Sequence, residues 1–141
     1  MITGAAGQLG QALVEAFARE RPVRGFTRTD LDVTDSRQVL RVMVDLRPLA
    51  IINCSAYNAV DRAEDEPSQA FAVNTLAVAN LARAAAEAKV PFVHYSTDFV
   101  FDGETDRPYT EASTPRPSTR RSAATDRASG VRPWGGPSSR K

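Results

Sequence analysis

The residues of this chain best suited to chemistry fall in four polar clusters. The first, Thr3-Gly4-Ala5-Ala6-Gly7-Gln8-Leu9-Gly10, spaces its glycines as Gly-x-x-Gly-x-x-Gly directly ahead of an amphipathic run. Glycines so placed let a backbone turn sharply off a strand, approach a pyrophosphate closely and pack the following helix against a sheet, while the helix's leading N–H groups face the phosphates. The spacing is not the Gly-x-Gly-x-x-Gly of most dinucleotide sites, and on its own it reads equally well as a plain loop. The other clusters are Asp32 within Asp30-Leu31-Asp32-Val33-Thr34-Asp35, the loop Ser55-Ala56-Tyr57-Asn58-Ala59-Val60-Asp61, and Ser96-Thr97-Asp98. Each has a plainer reading beside the functional one: Asp32 as a turn cap, Tyr57 as loop packing. His94, inside a strand-like run, reads as a core residue or a satisfied hydrogen-bonder rather than a base, and Cys54 as a small buried apolar residue.

The elements that must position these clusters follow from the hydrophobic rhythm. Met1 to Thr3 form a first strand, clipped against the usual length of about five or six residues. Leu9, Ala12, Leu13, Ala16 and Phe17 then recur at helical spacing, with Gln11, Glu15 and Arg19 turned away, as far as Pro22. Val23 to Thr27 reads as a second strand. Thr34, Asp35 or Ser36 can cap the next helix, whose Val39, Leu40, Met43, Val44 and Leu46 share one side up to Pro48. Ala50-Ile51-Ile52-Asn53-Cys54 is the apolar run of a strand covered on both faces. Pro67 opens a helical stretch without an interior breaker to Glu87, carrying Ala70, Phe71, Val73, Leu76, Ala77, Leu81 and Ala84. Val90 to Tyr95 reads as the fourth strand, and Phe99-Val100-Phe101 as an apolar flap ended by an Asp102-Gly103 turn. This alternation predicts an α/β fold: a Rossmann-like, doubly wound parallel sheet, truncated, with strand order 3-2-1-4 in chain numbering. In such a sheet the ligand crevice lies beyond the carboxyl ends of the strands, so all four clusters fall on one rim.

Composition sets the outer bounds. A chain of 141 residues is long enough for one domain. Its 18 Lys and Arg against 17 Asp and Glu leave no charge excess that would call for nucleic acid or a membrane surface. The single cysteine excludes an internal disulfide and suits a reducing compartment. With no basic leader and no run of transmembrane length, the expectation is a cytoplasmic protein with no nucleic-acid and no membrane partner. From Pro115 the composition turns to arginine, serine and proline, with Asp126 the one acid and Val131 and Trp134 almost the only large apolar side chains. The chain therefore divides into an incomplete dinucleotide-binding domain, 1–114, and a basic low-complexity tail, 115–141, expected to be disordered and to be an out-of-frame or degenerate gene end.

Four strings carry a family resemblance: Thr3 to Gly10, Asp32-Val33-Thr34-Asp35, Asn53-Cys54-Ser55-Ala56-Tyr57-Asn58-Ala59-Val60-Asp61-Arg62-Ala63-Glu64, and His94-Tyr95-Ser96-Thr97-Asp98-Phe99-Val100-Phe101. Over residues 1 to about 114 the sequence resembles the dTDP-4-dehydrorhamnose reductases, a branch of the extended short-chain dehydrogenases. The resemblance implies NADPH or NADH lying across the sheet edge and a nucleotide-sugar substrate, dTDP-4-dehydro-L-rhamnose, beside it. It assigns Gly7, Gln8 and Leu9 to the pyrophosphate, with Gly4 and Gly10 shaping the turn, and sets Asp32 and Val33 beside the adenine. Ala56, Tyr57 and Asn58 would line the nicotinamide half and Tyr95 would pack near it. Thr97 would be the catalytic hydroxyl that donates to the sugar's carbonyl oxygen, with Asp98 near the substrate; no metal is implied. Arg28, just past the second strand, could meet a 2′-phosphate and tilts the cofactor toward NADPH.

One departure from the family pattern is large. Such reductases use a Tyr-x-x-x-Lys pair, in which the lysine lowers the tyrosine's pKa from near 10 to about 7, a preference of roughly 4 kcal/mol for the phenolate. Here the residues four after Tyr57, Tyr95 and Tyr109 are Asp61, Phe99 and Ser113, and the only lysines are Lys89 and Lys141. The expectation is a reductase fold that does not turn over as written. The competing reading is a non-catalytic dinucleotide-binding or regulatory subunit resembling that of methionine adenosyltransferase.

Overall fold

A computed structural model describes residues 1–116. Four short parallel strands, β1 (Ile2–Thr3), β2 (Gly25–Phe26), β3 (Ile51–Asn53) and β4 (Phe92–His94), form one sheet in the order β2-β1-β3-β4. Thr3 is in register with Phe26 on one side and Asn53 on the other, and Asn53 with His94. The fold class is as expected, but the strand order corrects the 3-2-1-4 expectation. Between β2 and the capping Asp35, the chain has room only for turns in which Asp30 bonds back to Thr27 and Asp32 bonds forward to Thr34. Among the described residues no strand lies outside β2; the chain instead returns past β1 and lays β3 on its far side. The reversal of direction falls between β1 and β3, which is where a doubly wound sheet opens its crevice.

Helix α1 (Gln8–Ala18) packs on β1, and α2 (Ser36–Leu46) packs on a later helix, α5 (Ala77–Ala88), across the other face. The core gathers Phe26, Leu31, Val33, Val39, Met43, Ile51, Leu81, Ala84 and Ala85. Two predicted faces are narrower than expected. In α1, Leu13 and Phe17 are half-buried but Leu9, Ala12 and Ala16 are exposed, and the close approach to the sheet turn is made by Gly10. In α2, Val39 and Met43 are buried while Leu40 and Val44 are exposed, one step around from the stripe that meets α5.

The stretch expected as helix from Pro67 is continuous to Ala88 but carries a π-helical turn within it. Helix α3 (Val60–Asp65) and helix α4 (Pro67–Phe71) lead into a π-helical turn, Ala72–Leu76, before α5 begins. A π turn closes its hydrogen bonds one residue further along the chain than the α-helix and so rotates the apolar face. Ala70, Ala77 and Leu81 are buried, whereas Phe71 and Leu76 at the edges of the turn are exposed. The expected disorder of 115–141 falls, from residue 117 on, outside the described residues.

Asp35 anchors α2 as its N-cap, accepting from the N–H of Arg37 at 2.9 Å and of Gln38 at 3.3 Å. Those two N–H groups, Gln38's first, hold its carboxyl below the usual carboxylate range. Because the folded pKa is depressed, the stabilisation is fully present above the unfolded value near 3.9 and is lost as pH falls through the folded one. Thermal melts between neutral and strongly acid pH are expected to show the parent chain losing more stability than Asp35→Asn, which caps comparably but does not titrate. Parallel curves would remove this cap from the acid response.

Candidate functional site

β1 ends at Thr3 and the chain turns through Gly4, whose φ of 66° lies in the left-handed region. A Cβ on Gly4 would stand 2.5 Å from the carbonyl carbon and oxygen of Cys54 and 2.6 Å from the nitrogen of Ser55, so the turn sits directly on the peptide leaving β3. A Cβ on Gly10 would collide with the carbonyl oxygen of Gly4. Gly7 differs: it has an ordinary φ of −78°, and a Cβ there would meet only the Gly4 oxygen at 3.4 Å. The fold therefore needs Gly4 and Gly10, while the bare surface at Gly7 fits an approaching ligand. Gly7 caps α1 with no side-chain hydrogen bond, in contrast to Asp35 on α2. Among the described residues the leading N–H groups at Gln8, Leu9 and Gly10 are thus available to an acceptor from outside, which suits a pyrophosphate.

Past β2, Asp32 Oδ1 accepts from the Thr34 N–H at 2.9 Å and from the Thr34 hydroxyl at 2.7 Å. The turn-cap reading of Asp32 is therefore correct for one oxygen, and Oδ2 remains for a ligand among the described residues. Val33 is buried in the core, which leaves its backbone rather than its side chain at this edge. Asp30 is committed to its own turn, accepting from the N–H and hydroxyl of Thr27 at 2.8 and 2.6 Å. Arg28 stands exposed beside it and lies close enough to Tyr57 to act on that ring's ionisation.

The loop after β3 is fixed by a residue that the sequence reading missed. Asn74, on the π turn, accepts from the Tyr57 N–H at 2.8 Å and donates to the Tyr57 carbonyl at 3.2 Å, clasping both polar groups of one backbone residue. Its signal in the sequence was a carboxamide inside Phe71-Ala72-Val73-Asn74-Thr75-Leu76, where a helix interior gives it no advantage. Ala56 and Asn58 flank the clasped residue and are exposed. Tyr57 donates its hydroxyl to Glu66 at 2.7 Å, and Arg62 pairs with the same carboxylate. The Glu66 hydrogen bond pushes the Tyr57 phenol above its ordinary value, so this tyrosine holds its proton. Asn74→Ala leaves two partly buried backbone groups unpaired, a local cost of about 1 to 3 kcal/mol. Amide exchange at Tyr57 is expected to accelerate roughly tenfold or more, at that rate of about 1.4 kcal/mol per decade; unchanged protection would show that something else holds the loop.

β4 runs out into Tyr95, Ser96 and Thr97 on the same rim. Thr97 donates to Asp98 at 3.2 Å, and Tyr95 is exposed. The expected flap is a short 3₁₀ turn, Asp98–Val100, followed by a loop knit by Tyr109: its ring stacks on Phe101 at 4.1 Å, and its hydroxyl donates to Asp102 at 2.8 Å. That carboxylate pushes the Tyr109 phenol upward as well. Lys89 caps the end of α5 with φ 54°, before β4 begins, and so belongs to the opposite edge of the sheet. On that opposite edge a hollow of about 380 Å³ opens among Phe17, Leu46, Leu49 and Ile52, away from all four clusters. Among the described residues no group of His, Cys, Asp and Glu is arranged to hold a metal ion, and no helix is long and apolar enough to cross a membrane.

Comparison with known proteins agrees with this fold. The profile of the family described as the RmlD substrate binding domain matches residues 1–127, past the change in composition at Pro115. A probable low-salt glycan biosynthesis reductase of Haloferax volcanii is 38% identical over 127 residues, covering 82% of this chain and 42% of that protein. A dTDP-4-keto-6-deoxy-D-glucose reductase of Streptomyces niveus is 41% identical over 118 residues, covering 83% of this chain and 41% of that protein. The crystal structure of a dTDP-4-dehydrorhamnose reductase from Bacillus anthracis in complex with NADP superposes with a TM-score of 0.82 at 36% identity, covering 91% of this chain and 45% of that one. The chain thus spans about two fifths of the length of the curated relatives it matches, at 42% and 41%. With the glycine turn, the clasped loop and Thr97 on one rim of a parallel sheet, and a profile match over most of its length, the chain belongs to the RmlD substrate binding domain family.

Proposed function

We propose that these residues form the cofactor-binding part of an NADPH- or NADH-dependent reductase that converts dTDP-4-dehydro-L-rhamnose to dTDP-L-rhamnose in the cytoplasm, a step of cell-surface polysaccharide synthesis. The observation that carries the reading is the glycine turn seated on the Cys54–Ser55 peptide, ahead of a helix that no side chain caps. Bound there, the nicotinamide would supply hydride to a ketone. The chain's own part is to take the pyrophosphate at Gly7, Gln8 and Leu9 on the turn shaped by Gly4 and Gly10, border the adenine with Asp32 and Val33, hold Ala56 to Asn58 along the nicotinamide, and offer the Thr97 hydroxyl to the sugar's carbonyl oxygen, with Asp98 near the substrate and Tyr95 near the cofactor. Asp30 is engaged by Thr27 and Arg28 is exposed, which favours a 2′-phosphate over a bare ribose and so NADPH over NADH. Titration of the purified chain with both nucleotides is expected to give saturable binding, tighter for NADPH, with Arg28→Ala narrowing the difference. No saturable binding of either would overturn the reading.

A second reading, a non-catalytic dinucleotide-binding or regulatory subunit, is favoured by one observation: the Tyr57 and Tyr109 hydroxyls are both given to carboxylates. It predicts cofactor binding and a specific protein partner without turnover, even when the missing Tyr-x-x-x-Lys pair is supplied by a longer chain.

A further inference from the structure

Beneath the rim runs a polar row that the proposed function does not use. Thr3, Asn53 and His94 are register partners across β1, β3 and β4, and Thr3 and Asn53 are 0% and 2% exposed. Asn53 Oδ1 accepts from the Thr3 hydroxyl at 2.6 Å and from the Ser55 N–H at 3.0 Å, and Asn53 Nδ2 lies 3.1 Å from His94 Nδ1. The Ser55 N–H can only donate, so the oxygen of the carboxamide, not its nitrogen, must face it. That choice fixes the rest: Thr3 is a donor, Nδ2 points at His94, and His94 Nδ1 must accept, which places the ring proton on Nε2. His94 itself is exposed at the end of β4; partial desolvation holds its imidazole below the ordinary pKa, against a hydrogen bond to the Asn53 backbone that raises it, in keeping with a neutral ring.

We propose that Asn53 is a positioning residue for the dinucleotide site. One buried carboxamide ties together the carboxyl ends of three strands and holds the Cys54–Ser55 peptide on which Gly4 is stacked. The height of the pyrophosphate turn and the start of the Ala56 to Asn58 loop are therefore set by the same side chain. Thr3 reinforces it from the residue directly before Gly4. The bearing on cofactor rests on the function proposed above; the geometry of the row does not.

Long-range ¹⁵N–¹H spectra of the 141-residue chain, recorded well above the ordinary histidine pKa of about 6.5, test the row directly. The expected result is a His94 ring protonated at Nε2 with Nδ1 as acceptor, and a shift of the proton to Nδ1 in Asn53→Asp, which keeps the acceptor and loses the donor. A His94 protonated at Nδ1, or averaging between tautomers, in the parent chain would overturn the proposal without any variant. Thr3→Val, equal in volume, is expected to weaken NADPH about tenfold and Thr3→Ser to restore it, the weight of one lost buried hydrogen bond. Equal NADPH affinity in all three chains, with His94 as expected, would overturn the positioning role. If the parent chain binds no NADPH, the proposed function fails and the row is judged on amide exchange at Ser55 and Gly7: faster in Thr3→Val than in Thr3→Ser supports it, and equal rates overturn it.

Discussion

Gly4→Ala and Gly10→Ala are expected to prevent folding or to cost more than about 3 kcal/mol, a large part of the roughly 5 to 15 kcal/mol that holds a domain together, whereas Gly7→Val is expected to fold and to lose the cofactor. At Gly4 two penalties add. An L side chain in the left-handed region costs about 1 to 2 kcal/mol, and its Cβ would enter the Cys54–Ser55 peptide, which is backbone and has nowhere to move. At Gly10 the same collision occurs with the Gly4 oxygen. Gly7 has neither problem: its φ of −78° and ψ of 163° are extended backbone that valine adopts, and only one neighbour lies within contact distance. What valine fills there is the approach to the leading N–H groups of α1, so NADPH affinity is expected to fall on the order of a hundredfold while the melting temperature changes little. Asp32→Ala removes at most one ligand hydrogen bond and is expected to weaken NADPH no more than about tenfold. Melts and nucleotide titrations on the four variants decide the matter. Equal losses for Gly7→Val and Asp32→Ala would mean the turn is not where the phosphates lie.

The purified 141-residue chain is expected to bind NADPH yet leave dTDP-4-dehydro-L-rhamnose unreduced. Reduction of a ketone needs a proton delivered to the developing alkoxide, and a tyrosine serves best when its pKa is drawn toward the working pH by a nearby cation. Here the shifts run the other way. Glu66 raises Tyr57 and Asp102 raises Tyr109, so both phenols hold their protons more tightly than free tyrosine does. Lys89, the one lysine among the described residues, caps α5 at the far edge of the sheet. Loss of a general acid of this kind lowers rates by about 10²- to 10⁴-fold, before any weakening of sugar contacts is counted. Following NADPH absorbance with the keto sugar present measures this directly, and turnover that disappears in Thr97→Val would refute it.

Much of the architecture was legible in local signals. Pro48 and Pro67 mark the element boundaries they border, whereas α1 stops at Ala18, short of Pro22; Asp35 caps α2, and the apolar run Ile51-Ile52 lies in a strand. What the sequence did not disclose depends on partners distant along the chain. Strand order turned on how little chain lies between Thr27 and Val33, which nothing in those residues announces. The π turn at Ala72–Leu76 has no local code, because it exists where Asn74 meets the Tyr57 backbone seventeen residues away. Helix α3 has six residues and begins inside the loop read as Ser55 to Asp61; helices that short take their stability from their surroundings. Of the candidate site, the glycine turn and Thr97 were readable as residue types, Asn74 left only the faint signal of a carboxamide inside a helix, and Asn53 became visible only once the strand register was known.

The seating of Gly4 on the Cys54–Ser55 peptide would also set how a nucleotide bound at this turn arrives. With the turn and the next strand's exit closed into one solid ledge, little remains to rearrange on contact, so capture is governed by oriented collision. The observed rate should then rise in proportion to nucleotide concentration with no slow phase. Variants along the ledge should differ in how long the nucleotide stays far more than in how fast it comes.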